Sequence, residues 1–186
     1  MYKIGILSLI VLLAAISACV PSLHQLYTED KTVFEPALLG TWITEDGKDT
    51  CIMQEAGDET KYYDMNYSQE GVAANLEGHL MKFGNTLFLD TYPEEPAVKN
   101  DIYKTHLILA HIFSKIDLKG DTVEVAVIDD EWFRDQIASG KVKIANENQD
   151  NGFILTANTE ELQKFSTDYA TDEDAFPNPG IYYRLK

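Results

Sequence analysis

Gly40-Thr41-Trp42-Ile43-Thr44-Glu45-Asp46-Gly47-Lys48-Asp49-Thr50-Cys51-Ile52-Met53-Gln54 is the stretch whose reading decides the fold. Two short runs rich in Thr, Ile and Trp flank a polar tetrad. Asp-Gly inside such a tetrad is a strong hairpin signal, because Gly takes the positive φ that a tight turn between twisted strands requires. The same texture continues outward. In residues 60–67, Tyr63, Met65 and Tyr67 share one face, with Tyr62, Asp64 and Asn66 on the other. In 72–82, Val72, Ala74, Leu76 and Leu80 oppose Asn75, Glu77 and His79. A period of two over such lengths means half-buried strands. Gly84-Asn85 turns the chain into a run at 86–90, and Gly120-Asp121 turns it into Val123, Val125 and Val127 on one continuous face. Residues 103–118 are apolar on both faces and read as one long strand covered on each side. A last strand spans 180–186.

Two helices interrupt this pattern. Asp130 is the expected cap of a helix over 131–139 with Gly140 after its end, and Asn158 with Glu161 forms a capping box ahead of Leu162, Phe165 and Tyr169. Both apolar stripes are narrow, so the second helix is expected to pack on the sheet. Eight or nine strands at near-regular spacing fit an antiparallel up-and-down barrel, mainly β with two short helices, whose closure removes exposed strand edges.

The chain has 186 residues, with 31 acidic and 15 basic side chains and a formal net charge of -16. An apolar fraction of 45% excludes a disordered chain despite that charge. Nucleic acid is excluded as a partner on electrostatic grounds, since binding a polyphosphate relies on neutralising it with Lys and Arg.

At the N-terminus a single cation, Lys3, precedes the uncharged run 4–18, which stops at Cys19-Val20-Pro21. This is the layout of a secretory signal and is short for a spanning helix, which needs roughly 20 apolar residues. Ile16-Ser17-Ala18-Cys19 resembles the bacterial lipobox. The resemblance implies cleavage before Cys19 and acylation of its thiol, giving a signal peptide over 1–18, a lipidated tether over 19–36 and a barrel domain over 37–186. It further implies a lipoprotein carrying diacylglycerol and palmitate, held on the membrane by that lipid. Val20 stands where an Asp would signal inner-membrane retention in enteric bacteria, which implies the outer membrane, facing the periplasm. The tether carries apolar footholds at Leu23, Leu26, Tyr27, Val33 and Phe34. After cleavage Cys51 is the lone thiol, expected to be buried and structural.

Gly40-Thr41-Trp42 at the head of a first strand, followed by a meander and Arg184 in the last one, resembles the lipocalin/calycin pattern. In that family the indole crosses the closed end of the barrel and a late Arg packs on it, which makes Gly40, Trp42 and Arg184 the structural signature here. A broader set of landmarks is similar to a group of uncharacterised bacterial lipoproteins: Pro21 to His24, Phe34 to Pro36, Leu39 to Trp42, Phe88 to Asp90, His111 to Phe113, Gly120 to Thr122, Glu131-Trp132, Leu155-Thr156 and Glu161-Leu162. That similarity implies a fold and no activity.

For chemistry the chain offers little. The histidines are His24, His79, His106 and His111, and on a strand the last two would point to opposite faces, so no metal site is expected there. The acidic segments 146–152 and 171–174 lack the EF-hand spacing and read as solvated loops. No nucleophile elbow or phosphate loop is present, so neither catalysis nor a cofactor is expected. Tyr62, Tyr63, Tyr67, Tyr92, Tyr103, Tyr182 and Tyr183 fall on expected strands. They either line a cavity for one small apolar ligand or fill a packed core, since an eight-stranded barrel accommodates both. The first makes the protein a non-catalytic binder, the second a structural or protein-interaction module of the envelope.

Overall fold

A computed structural model describes residues 19–57, 61–149 and 152–186. The expected signal peptide over 1–18 lies outside the described residues. Strands β1 (Gly40–Thr44), β2 (Asp49–Glu55), β3 (Tyr62–Gln69), β4 (Val72–Phe83), β5 (Thr86–Pro93), β6 (Ile112–Lys119) and β7 (Thr122–Val127) follow one another as neighbours. Helix α1 (Asp101–Lys104) lies between β5 and β6. After β7 come helix α2 (Asp130–Ala138), the hairpin β8 (Asn146–Gln149) and β9 (Gly152–Leu155), and helix α3 (Thr159–Tyr169). The last strand, β10 (Gly180–Arg184), pairs with both β7 and β1 and closes an eight-stranded antiparallel barrel. Trp42 is thus opposite Arg184 on one side and Cys51 on the other.

The closure leaves two apolar layers. Inside the barrel pack Leu38, Trp42, Met53, Tyr63, Leu80 and Leu89 with their neighbours. Outside it, Met81, Phe88, Phe113 and Ala126 point from the strands into a second core completed by Phe133, Phe153, Leu162 and Phe165 of the insertion between β7 and β10. This is why β5 and β6 are apolar on both faces. Helix α3 carries the expected capping box, with Asn158 accepting from the Glu161 N–H and Glu161 accepting from the Asn158 N–H. Its Leu162 and Phe165 turn inward onto the outer core.

Four local readings are corrected. The run 103–118 is not one strand: Asn100 caps α1, which takes in Tyr103, and β6 begins only at Ile112. Residues 102, 107 and 108 therefore protrude rather than pair, although their apolar character matches the rest of the run. The cap of α2 is Asp129, whose carboxylate accepts from the Trp132 N–H at 2.7 Å, while Asp130 lies inside the helix and pairs with Arg134. In segment 146–152, read as a loop, Asn146–Gln149 pairs with Gly152–Leu155 as a hairpin, because Phe153 and Leu155 face the outer core. In β4 the inward parity is right, but Val72 is 76% exposed because the β3–β4 hairpin runs beyond the barrel wall.

Residues 20–34 lie along the outside of the barrel. Ser22 exchanges backbone hydrogen bonds with His111 at 2.8 Å, the Leu26 N–H donates to the Asp90 carboxylate at 2.7 Å, and the Val33 N–H donates to Leu80 O at 2.8 Å. Of the expected footholds Leu26 is fully buried, Tyr27, Val33 and Phe34 are partly buried, and Leu23 stays exposed. Since β6 starts and β4 ends near those contacts, the segment runs from one end of the barrel to the other. It then makes the 3-10 turn Pro36–Leu38 beneath the barrel.

Candidate functional site

The end of the barrel under that turn is sealed by side chains. Leu38 and Trp42 are each 2% exposed. The Trp42 indole N–H donates to Leu38 O at 2.8 Å, and the Arg184 guanidinium lies 4.2 Å from the Trp42 ring centroid. Arg184 also donates from Nη1 to Leu39 O at 2.7 Å and from Nη2 to Ala37 O, so one side chain ties the turn to the last strand. A guanidinium on an indole face contributes about 0.5–2 kcal/mol, rising as water is excluded. Gly40 is required beside it: its φ is +123°, and a Cβ there would lie 2.8 Å from Arg184 Nη1. The three signature residues Gly40, Trp42 and Arg184 thus meet at one spot. Tyr63 completes the seal, its hydroxyl accepting from the Glu35 N–H at 2.8 Å and stacking its ring on Phe34. Burial pushes that hydroxyl up to about 12.

Above this floor the interior is not filled. A half-open cavity of about 260 Å³ runs from Trp42 and Leu38 toward the opposite end of the barrel. Its middle wall is Cys51, Met53, Met65, Leu89, Ile116 and Val123, and its upper wall includes Leu76, Thr91, Val127 and Tyr182. Gly78 leaves room for this arrangement, since a Cβ there would stand 2.5 Å from the Met65 sulfur. The polar lining groups are the hydroxyls of Tyr67, Thr91, Ser114 and Tyr182 and the Cys51 thiol. No charged side chain contributes to the lining. The Tyr67 hydroxyl donates to Asp49 at 3.1 Å and shares a hydrogen bond with Tyr182. Burial, with the Tyr182 hydroxyl and Asp49 nearby, raises the Tyr67 hydroxyl far above its ordinary range, and burial also raises Tyr182. Burial pushes the Cys51 thiol up to about 11, so it lines the cavity as a neutral thiol.

A second polar cluster lies on the outer wall. Asp90 is 1% exposed and accepts from the Leu26 N–H, and it pairs with His111 Nδ1 at 2.9 Å. His79 is sandwiched between Tyr27, 3.7 Å away and nearly parallel, and Tyr62 at 5.1 Å. These groups hold the N-terminal segment against β4 and β5. His106 is exposed between α1 and β6, away from any strand, so the two-face argument that separated it from His111 does not apply, yet only His111 joins the cluster. Among the described residues no three His, Cys, Asp or Glu side chains are grouped as a metal would need.

His79 offers a test of this clasp. Burial holds its imidazole below the usual value, against the opposing pull of Asp90 and Glu77 and with a further lowering from His111. A histidine lowered on folding is protonated first in the unfolded chain, so stability falls as pH drops below about 6.5. Urea midpoints should decline between about pH 6.5 and 5 in wild type, and more shallowly in His79→Phe, which keeps the stacked ring without the titration. An equal decline in both would remove His79 from the clasp.

The sequence signal for the cavity was incomplete. Tyr67 and Tyr182 were legible as inward strand residues, but their contact joins β3 to β10, which only barrel closure brings together. Leu38 carried no signal because its role follows from the turn beneath the barrel.

These features define a class: a closed eight-stranded β-barrel, sealed at one end by an Arg-on-Trp contact, with an apolar cavity open toward the other. No family model, curated protein or solved structure matches the chain.

Proposed function

We propose that this protein binds one small apolar molecule in the barrel cavity without chemically altering it, as a lipocalin-like lipoprotein of the bacterial envelope. The observation that carries the reading is the unfilled apolar interior. Its volume is just below the roughly 300–1,000 Å³ of most small-molecule sites, so the occupant is small. Hydroxyls at Thr91, Ser114, Tyr67 and Tyr182 supply the few polar contacts that orient a ligand, and no paired acid and base line the cavity to act on it. The convergence of Gly40, Trp42 and Arg184 supports the lipocalin-like assignment. Acylated Cys19 attaches the domain to the outer membrane, facing the periplasm.

A neutral apolar dye such as N-phenylnaphthylamine should fluoresce more brightly on the protein at pH 7, under conditions where near-UV circular dichroism shows fixed packing. Val125→Phe should weaken that binding at least about tenfold, equivalent to about 1.4 kcal/mol. Because the new ring enters empty space, unfolding free energy should stay within about 1 kcal/mol of wild type, whereas a filled core would lose about 1–3 kcal/mol. No dye binding, together with a strongly destabilised Val125→Phe, would decide for a packed barrel. That outcome would favour the structural or protein-interaction reading, for which the exposed Ile102, Tyr103, Leu107 and Ile108 provide a surface.

A further inference from the structure

Those four exposed side chains lie in the connection between β5 and β6. Ile102 and Ile108 are each 75% exposed, Tyr103 57% and Leu107 37%. The insertion between β7 and β10 packs its apolar side chains onto the barrel wall, but this connection carries its apolar side chains outward. It belongs to the open end of the barrel. The turns at 84–85 and 120–121 and the Pro36–Leu38 turn mark the sealed end, and β5 and β6 face the other way where residues 94–111 join them.

The N-terminus is at the same end. Ser22 is bonded to His111, the residue before β6, in both directions. Cys19 is three residues before Ser22 and Ile108 three residues before His111, so each is within about 11 Å of that bridge along an extended chain. Before Cys19 stands the uncharged run 4–18. On the anchoring reading above, the membrane is beside Cys19 whether that run is cleaved and replaced by acyl chains or retained as an anchor. The connection itself is close to charge balance, with Lys99 and Lys104 against Glu94, Glu95 and Asp101, and Lys104 is paired with Glu95 at 3.0 Å.

We propose that residues 98–110 form a membrane-facing lip, with Ile102, Tyr103, Leu107 and Ile108 in the bilayer interface, so that the barrel cavity opens toward lipid. The ligand class follows from the orientation: an acyl chain or similarly apolar molecule that enters from the bilayer without crossing water. This rests on the binding and anchoring readings above, and it adds a direction of approach that neither contains.

The full chain, expressed with its leader and purified in detergent, is reconstituted into vesicles of phosphatidylcholine and phosphatidylethanolamine. Two variants report depth: Ile108→Trp on the lip and Leu185→Trp at the sealed end, where Leu185 is 56% exposed. An interfacial side chain is about 5–10 Å deep, within reach of bromines on the acyl chains, so brominated phosphatidylcholine should quench the Ile108→Trp signal at least about twofold over wild type. Leu185→Trp should match wild type. Equal quenching of the two variants on vesicle-bound protein overturns the orientation, and identifies the patch as a surface for something other than lipid. Failure to float with vesicles overturns the anchor and the orientation together. Dye binding in solution, measured separately, decides the cavity reading: dye bound without quenching refutes the lip alone, and quenching without dye bound refutes the cavity and with it the proposed entry of ligand.

Discussion

Trp42→Ala is expected to lower the unfolding free energy by about 3–5 kcal/mol, the usual cost of emptying a buried aromatic site. Trp42 is the point where three devices meet. Its ring supports the Arg184 guanidinium, its N–H satisfies Leu38 O, and its face forms the cavity floor. Removing the indole leaves the guanidinium without its ring and opens the cavity downward, so local collapse has little material to work with. Chemical denaturation followed by circular dichroism measures the loss. Trp42→Phe restores an aromatic floor without the N–H and should recover most, but not all, of it. A mutant that unfolds with wild type would show that the floor is held by the Pro36–Leu38 turn and the Tyr63 contacts instead.

Phe133→Ala should cost a comparable amount, about 3–5 kcal/mol, although the residue is remote from the barrel interior. Phe133 is fully buried and meets Phe153 edge-on at 5.2 Å and Phe165 at 6.1 Å. It therefore joins α2, the β8–β9 hairpin and α3 into the layer that covers β4–β7. If that layer and the barrel unfold together, the midpoint shifts with a single transition and an unchanged denaturant slope. A biphasic curve would show instead that the insertion melts first and leaves the barrel folded. Dye binding by the mutant below its transition separates the two layers in function: the cavity lining comes from the inner face, and should survive damage to the outer one.

Much of the fold was legible from period and punctuation. The 40–54 hairpin, the inward set Tyr63, Met65 and Tyr67, and the capping box at Asn158 all depend on interactions within a few residues, and local chemistry dictates them. The run 103–118 carries apolar residues on both faces, but its Tyr103, Leu107 and Ile108 are exposed at the open end. Apolarity marks a surface that avoids water, and whether protein covers it is a tertiary question. Asp129 and Asp130 are both capable caps, and one residue separated them because packing of Trp132 and Phe133 sets the helical phase.

The sequence by itself determined the β-rich class, the pairing of consecutive strands, the net negative charge, and Gly40, Trp42 and Arg184 as a candidate trio. Each is encoded by neighbouring residues, by composition or by a short pattern. Only the tertiary structure shows a cavity of about 260 Å³ above Trp42. Alternation assigns a side chain to a face but not to a depth, and the same Val123, Val125 and Val127 would serve an open interior or a packed one. The structure also brings residues 19–22 and the exposed apolar side chains of 102–108 to the same end of the barrel. That coincidence depends on a backbone bridge between residues 22 and 111, a contact formed over so long a separation that no local pattern records it.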